Sequence, residues 1–319
     1  MTIIPFEYVP YDQLGDTPNV VVDGSANAHT TLTLSHWPHS GTPAEYRDDV
    51  SAQIAFRFLD RPAGYEPARV VSNNHFDEDG LVSVFALVEP EAALARRSLL
   101  IDVASAGDLE VWSSRTALRI ALAINAISEE HGYDTAALYY EMLPRLVELC
   151  EHVDRFRSHW ETPDAHTEAG LAALDDATIA IEERPDLDLA VVSIPERWAT
   201  PVARRFAVAV DRALTNDAFY PRTRGLRVLR SVGGSHRFGY RYESWVQLRS
   251  RRPLPRVEFQ PLADELTALE GSGAVWQADP IDRTTPEMRV RDSTLDGAHV
   301  RAIVERYLAT AEPAWSPYD

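Results

Sequence analysis

ARVVSNNHFDEDGLVSVFALVEP, residues 68–90, decides the fold class. ARVVSNNH (68–75) is β-branched and ends in polar residues, which reads as a strand. LVSVFALVEP (81–90) reads as a short buried helix stopped by Pro90. A strand that gives way to a helix within a few residues is the unit of an α/β sheet. Between the two, HFDEDG (75–80) collects one histidine and three acids directly before a run that must be buried.

Working outward, NVVVDG (19–24) and TTLTLSHW (30–37) read as further strands. Residues 42–62 read as a helix with Thr42 as cap, Pro43 in the first turn and Glu45 at capping-box spacing. Residues 97–112 read as a helix or strand with a loop around Gly107. SRTALRIALAINAISEEHG (114–132) and residues 133–160 read as amphipathic helices, the second kinked at Pro144. The acidic, Ala-rich stretch 161–186 reads as a boundary. Beyond it, 187–196 reads as a strand and 200–216 as a helix. Residues 225–251 read as two strands joined at Gly233-Gly234, and 261–271 and 296–310 as helices. The expectation is an α/β fold with a mainly parallel sheet flanked by helices in 1–165, followed by a smaller α+β domain in 186–319.

The 319 residues carry a net charge of −18, which disfavours long nucleic acid and anionic membranes as partners. No apolar stretch approaches the ~20 residues a membrane span needs. The N-terminus lacks a basic region followed by an apolar one, and Cys150 is the single cysteine. A cytoplasmic location is expected. Every basic residue is an arginine, and arginines far outnumber acids between Arg204 and Arg256. Arginine suits bidentate holding of carboxylate or phosphate, although an arginine-only alphabet also follows from genome composition.

If HFDEDG is extended, His75, Asp77 and Asp79 point to one side, because side chains alternate along a strand. Imidazole with two carboxylates suits a divalent ion such as Mn²⁺, Zn²⁺ or Fe²⁺. Gly80 lets the backbone turn after them. The carboxyl end of a strand is also where open α/β sheets bind ligands. The competing reading is that the acids only complement the positive end of the following helix, worth ~0.3–1 kcal/mol each. One acid suffices for that, and three together repel one another without a cation. Asp23, ending VVVD, is a similar strand-end candidate. In LSHWPHSGTP (34–43), His36 and His39 can join a metal with His75, and Thr42 at a helix N-terminus can offer N–H groups to an anion. The alternative there is a Pro turn with surface histidines. In GGSHRFGYRYESWVQ, His236, Arg237 and Arg241 can hold an anion, or form an Arg–Glu ladder on a solvated face. Glu148 and His152 read as a solvated helix face. The chain has no G-x-S-x-G, Walker A or G-x-G-x-x-G motif.

H-x-D-x-D-G after a strand and before an apolar helix resembles the first metal motif of the DHH-family phosphoesterases. The resemblance implies two domains with a two-metal site, usually Mn²⁺, and carries metal-ligand roles to His75, Asp77 and Asp79. It implies a further acid at a strand end, matched by Asp102 in SLLIDVAS, and a later one, Asp108. The chain has no Asp-His-His triplet; His36 and His39 are the nearest substitute. VGGSH (232–236) is similar to the family's Gly-rich substrate loop. The pattern SHWPHSGTP, NHFDEDGLVS and YRYESW is also similar to an uncharacterised bacterial family. The resulting expectation is a metal-dependent hydrolase, a phosphoesterase on a small phosphorylated substrate or nucleotide. His75, Asp77, Asp79 and Asp102 are its catalytic and metal residues, with His36 and Asp23 completing two Mn²⁺ sites. His236, Arg237, Arg241, His39 and Thr42 hold the substrate, and a homodimer is compatible. Two alternatives are a metal enzyme of oxidative or other hydrolytic chemistry, and a DHH-like protein that binds a ligand or partner without catalysis.

Overall fold

The computed structural model describes residues 4–62, 68–198, 201–202, 210–211 and 214–318. The chain divides into two compact units, Met1–Asp164 with Val246–Arg252, and Ala165–Trp245 with Pro253–Asp319.

In the first unit, β1 (Glu7–Tyr8), β2 (Asn19–Val22), β3 (Thr30–Leu34) and β4 (Val70–Ser72) form a parallel sheet in the order β1-β4-β2-β3. α1 (Ser51–Asp60) follows β3, and α2 (Glu78–Val88) follows β4. All of α2 up to Leu87 is buried, packed against α1, the sheet and α4 (Arg97–Asp108), which follows the short α3 (Pro90–Leu94). A helix apolar on every side is stable only in such a place. Each fully buried Leu, Val or Phe in it contributes ~1.5–3 kcal/mol. α5 (Arg115–Glu130) packs on α4.

Three sequence expectations need correction here. The helix expected over 42–62 begins only at Ser51. Thr42 does not cap it; its Oγ1 donates to Ser35 O at 2.7 Å and accepts from Ser35 N at 2.9 Å. The helix expected over 133–160 is broken by Pro144 into α6 (Thr135–Met142) and α7 (Leu146–Glu151). α8 (Arg157–Asp175) then runs into the stretch read as a boundary. Within 200–216, Pro201–Val202 (β7) and Val210–Asp211 (β8) pair as antiparallel strands rather than forming a helix; 200, 203–209 and 212–213 lie outside the described residues.

The second unit is built on a six-stranded mixed sheet, with β5 (Ala180–Arg184) and β6 (Leu189–Ile194) at one end. The hairpin of β9 (Arg227–Val232) and β10 (Ser235–Tyr240) turns at Gly233-Gly234 as expected. Side-chain alternation supplies both faces. Leu189, Val191, Leu229 and Phe238 face one core, whereas Val192, Ile194, Val228 and Val232 face the other. The first core also takes residues of α9 (Gln260–Leu269) and α10 (Gly297–Leu308).

Arg256 lies in this unit with none of its surface exposed. Its guanidinium donates to Ile281 O and Thr284 O at 2.8 Å, to Arg283 O and to Ser244 Oγ, and lies over the Trp315 ring. Burial lowers its pKa to about 10, so it stays charged at neutral pH. Arg256→Met would leave buried carbonyls without donors, and a loss of at least about 3 kcal/mol is expected in urea unfolding. Arg256→Lys should recover little of it, because an ammonium lacks the planar fork.

Candidate metal centre

β2, β3 and β4 lie side by side, and their carboxyl ends place Asp23, His36 and His75 together. Asp23 directly follows β2 and takes a positive φ of 44°. Such a backbone is uncommon for a residue other than glycine and is found at functional sites. Gly24 lies close under Asn74, whose Oδ1 would sit 2.1 Å from a Cβ there and would have to move aside for a larger residue. Asp77 and Asp79 arrive at the start of α2. Asp77 caps that helix, its Oδ1 accepting from Gly80 N at 2.8 Å. Asp79 accepts from Ser51 N and Ala52 N, each at 2.7 Å, so it sits on the N-terminus of α1. At Gly107 a Cβ would lie 2.4 Å from Glu78 Cβ. That close approach of α4 brings Asp108 to His36.

Two groups of donors result: Asp23, His36 and Asp79, and Asp23, His75 and Asp77. Within each, the candidate ligand atoms lie within 4.8 Å of one another, and Asp23 belongs to both. His36 Nε2 lies 3.6 Å from Asp23 Oδ1, 3.9 Å from Asp79 Oδ2 and 3.3 Å from Asp108 Oδ2. His75 Nε2 lies 2.9 Å from Asp77 Oδ2 and 3.4 Å from Asp23 Oδ2. The His75 ring packs against Trp37 in a tilted arrangement, with centroids 5.1 Å apart and planes at 31°.

The protonation of His36 follows from its partners. Its Nδ1 lies 2.7 Å from the Asp49 carbonyl oxygen, which only accepts, so Nδ1 carries the proton. Burial lowers the ring's pKa to about 4, which leaves it neutral at pH 7. Nε2 therefore presents a lone pair to three carboxylates. Asp79 is pushed up to about 7 by burial and by Asp77, and Asp23 is raised by burial and by Asp77, Asp79 and Asp108. Asp23 Oδ1 accepts from Ser51 Oγ at 2.7 Å, while its buried Oδ2 has no hydrogen bond among the described residues. Lone pairs and carboxylate oxygens converging on one place, with an imidazole locked by a backbone carbonyl, suit a divalent cation.

Residues 4–317 match DUF6687, a family of unknown function. The chain belongs to that family. No curated protein and no solved structure matches it.

Of the expected metal residues in this DUF6687 chain, five meet: Asp23, His36, His75, Asp77 and Asp79. The extended reading of 75–79 fails at Asp79, which is already in the first turn of α2. Asp102 is not at a strand end but within α4, where its carboxylate accepts from Ser113 N at 2.7 Å and Ser114 N at 2.8 Å. His39 is exposed in a left-handed turn and outside both donor groups. Thr42 is buried on Ser35, with no helix N-terminus to offer. In the second unit, His236 is buried between Ser231 Oγ at 2.9 Å and Leu295 O at 3.0 Å. Arg237 reaches Glu287, and Arg241 is buried against Glu243 and over the Tyr220 ring. Sequence reading missed Ser51 and Asp49. DDVS (48–51), polar residues ahead of an apolar helix, was the available signal; Thr42-Pro43-x-Glu45 outweighed it.

Two outcomes follow. In metal-free protein, Asp23→Asn keeps an acceptor for Ser51 and removes one of the crowded charges. Its thermal midpoint should rise by ~2–4 °C, as for about 1 kcal/mol; a fall would mean that the carboxylates do not repel. For His236, burial lowers the pKa, with Glu270 and Asp296 opposing. The folded state then binds its proton less readily than the unfolded one. Stability is fully present above about pH 6.5 and is lost as the pH falls toward the folded value. Urea midpoints of His236→Phe should depend less on pH between about 7 and 5 than those of the wild type.

Proposed function

We propose that this protein is a hydrolase that uses divalent cations held by Asp23, His36, His75, Asp77 and Asp79, acting on a small phosphorylated substrate or nucleotide. The observation that carries the reading is Asp23, one carboxylate common to two donor groups. A shared carboxylate suits two ions a few ångströms apart. The all-oxygen and imidazole donor set suits Mn²⁺, with Zn²⁺ or Fe²⁺ also compatible. The position at the carboxyl ends of parallel strands supports a ligand site. The likeness of H-x-D-x-D-G to the first DHH motif supports phosphoester chemistry.

When bound, such ions polarise a phosphoryl oxygen and lower the pKa of water. The chain's residues supply the rest. Asp49 O keeps the His36 proton on Nδ1, so that Nε2 remains a donor to a cation. Ser51 Oγ fixes Asp23, and the first N–H groups of α1 fix Asp79. Asp108, beside His36 Nε2, is placed to complete the donor set or to accept a proton.

Elemental analysis of wild type beside Asp23→Asn tests this reading. About two equivalents of Mn or a similar ion per chain are expected in the wild type after reconstitution, with most of it lost in the variant. A panel of phosphate esters should then show hydrolysis that chelation abolishes and Mn²⁺ restores. Reconstituted wild type without metal would overturn the metal reading. Stoichiometric metal with no hydrolysis of any ester would overturn the phosphoesterase assignment alone.

A further inference from the structure

Residues Val246–Arg252 belong to the first unit, although the chain on both sides of them belongs to the second. This strap makes three backbone contacts around His36. Gln247 N donates to His36 O at 2.8 Å. Arg249 N and Ser250 N both donate to Asp49 Oδ1, each at 2.8 Å. Val246 is buried, whereas Arg249 and Ser250 are exposed. Arg249 and Ser250 are thus tied to Asp49 through their backbone N–H groups.

Asp49 is the hinge between strap and site. Its side chain takes two successive strap N–H groups, an arrangement backbone amides use to hold anions. Its carbonyl oxygen accepts a hydrogen bond from His36 Nδ1. Two residues on, Ser51 donates to Asp23 and accepts from His36 N at 3.2 Å through the same hydroxyl, and its own N–H holds Asp79. The four residues Asp49–Ala52 thus touch three of the five candidate ligands.

We propose that Asp49, clamped by the strap Val246–Arg252, is the positioning residue for His36, so that cation affinity is set by a backbone segment 200 residues downstream. The proposal rests on the metal reading above and assigns Asp49 no contact with the ion. Without its carboxylate Asp49 loses the strap, and its peptide keeps the bonds of Asp49 N to Asp48 Oδ1 at 3.1 Å and of Val50 N to Gln53 Oε1 at 3.2 Å. A carbonyl that shifts off Nδ1 then leaves the tautomer and ring orientation of His36 less firmly fixed. Partners that orient a ligating histidine in this way typically change metal affinity 10–100-fold.

The test is Mn²⁺ affinity by calorimetry on full-length protein, with Co²⁺ absorption in the visible as a report of ligand geometry. Asp49→Ala should weaken Mn²⁺ binding by roughly 10–100-fold and alter the Co²⁺ spectrum. Asp49→Asn, whose amide oxygen accepts both strap N–H groups, should restore affinity and spectrum. Ser250→Pro removes one donor from the strap side without touching Asp49, and should shift affinity the same way by a smaller factor. It also serves if Asp49→Ala fails to fold. Should wild type bind Mn²⁺ while Asp49→Ala and Ser250→Pro bind it equally well with the wild-type Co²⁺ spectrum, the positioning role falls and the metal site stands. Should wild type bind no Mn²⁺, both fall.

Discussion

Asp23 and Asp79 are carboxylates taken out of water within reach of each other, of Asp108 and of the lone pair of His36. Removing one such group from water costs several kcal/mol, and crowding raises the cost. The fold offsets part of it. The N-terminus of α1 faces Asp79, the Ser51 hydroxyl faces Asp23, and Asp77 caps α2. Helix ends contribute only ~0.3–1 kcal/mol per charge at exposed sites and up to ~2 where partly buried. On the metal reading proposed above, a divalent cation between the carboxylates would offset more of that cost.

Much of this was legible in the sequence. A strand ending in polar residues before an apolar run gave β4 and α2, and the period-2 and 3.6-residue patterns gave most of the remaining long elements. His36 and Asp23 were legible as strand-end residues. Their grouping was not, because it depends on β4 lying beside β2, a long-range pairing that no local pattern encodes. Asp102 misled because an apolar run of three residues, Leu99–Ile101, before an acid fits a strand or a buried helix equally well. Thr42 misled because a cap signature is local, whereas the hydroxyl was taken by Ser35 across a turn. The strap was invisible for the same reason as the grouping: its link to Asp49 is made by backbone N–H groups, which leave no trace in residue type.

The arginine-only alphabet also reads differently once the chain is folded. In the second unit Arg227, Arg241 and Arg256 are buried, and they bind carbonyls, a glutamate and aromatic faces. These are the uses for which a planar, weakly hydrated guanidinium is better suited than an ammonium. Arg241, expected as part of an anion clamp, is instead a cross-link of that core.

The central claim is that cations sit at Asp23, and their position tests it most directly. Crystals grown or soaked with Mn²⁺, with anomalous data collected near the manganese edge, should show two peaks about 3.5–4 Å apart. One would lie between Asp23, His36 and Asp79, the other between Asp23, His75 and Asp77. Anomalous maps with no peak at these carboxylates, or with manganese only elsewhere on the chain, would contradict the account.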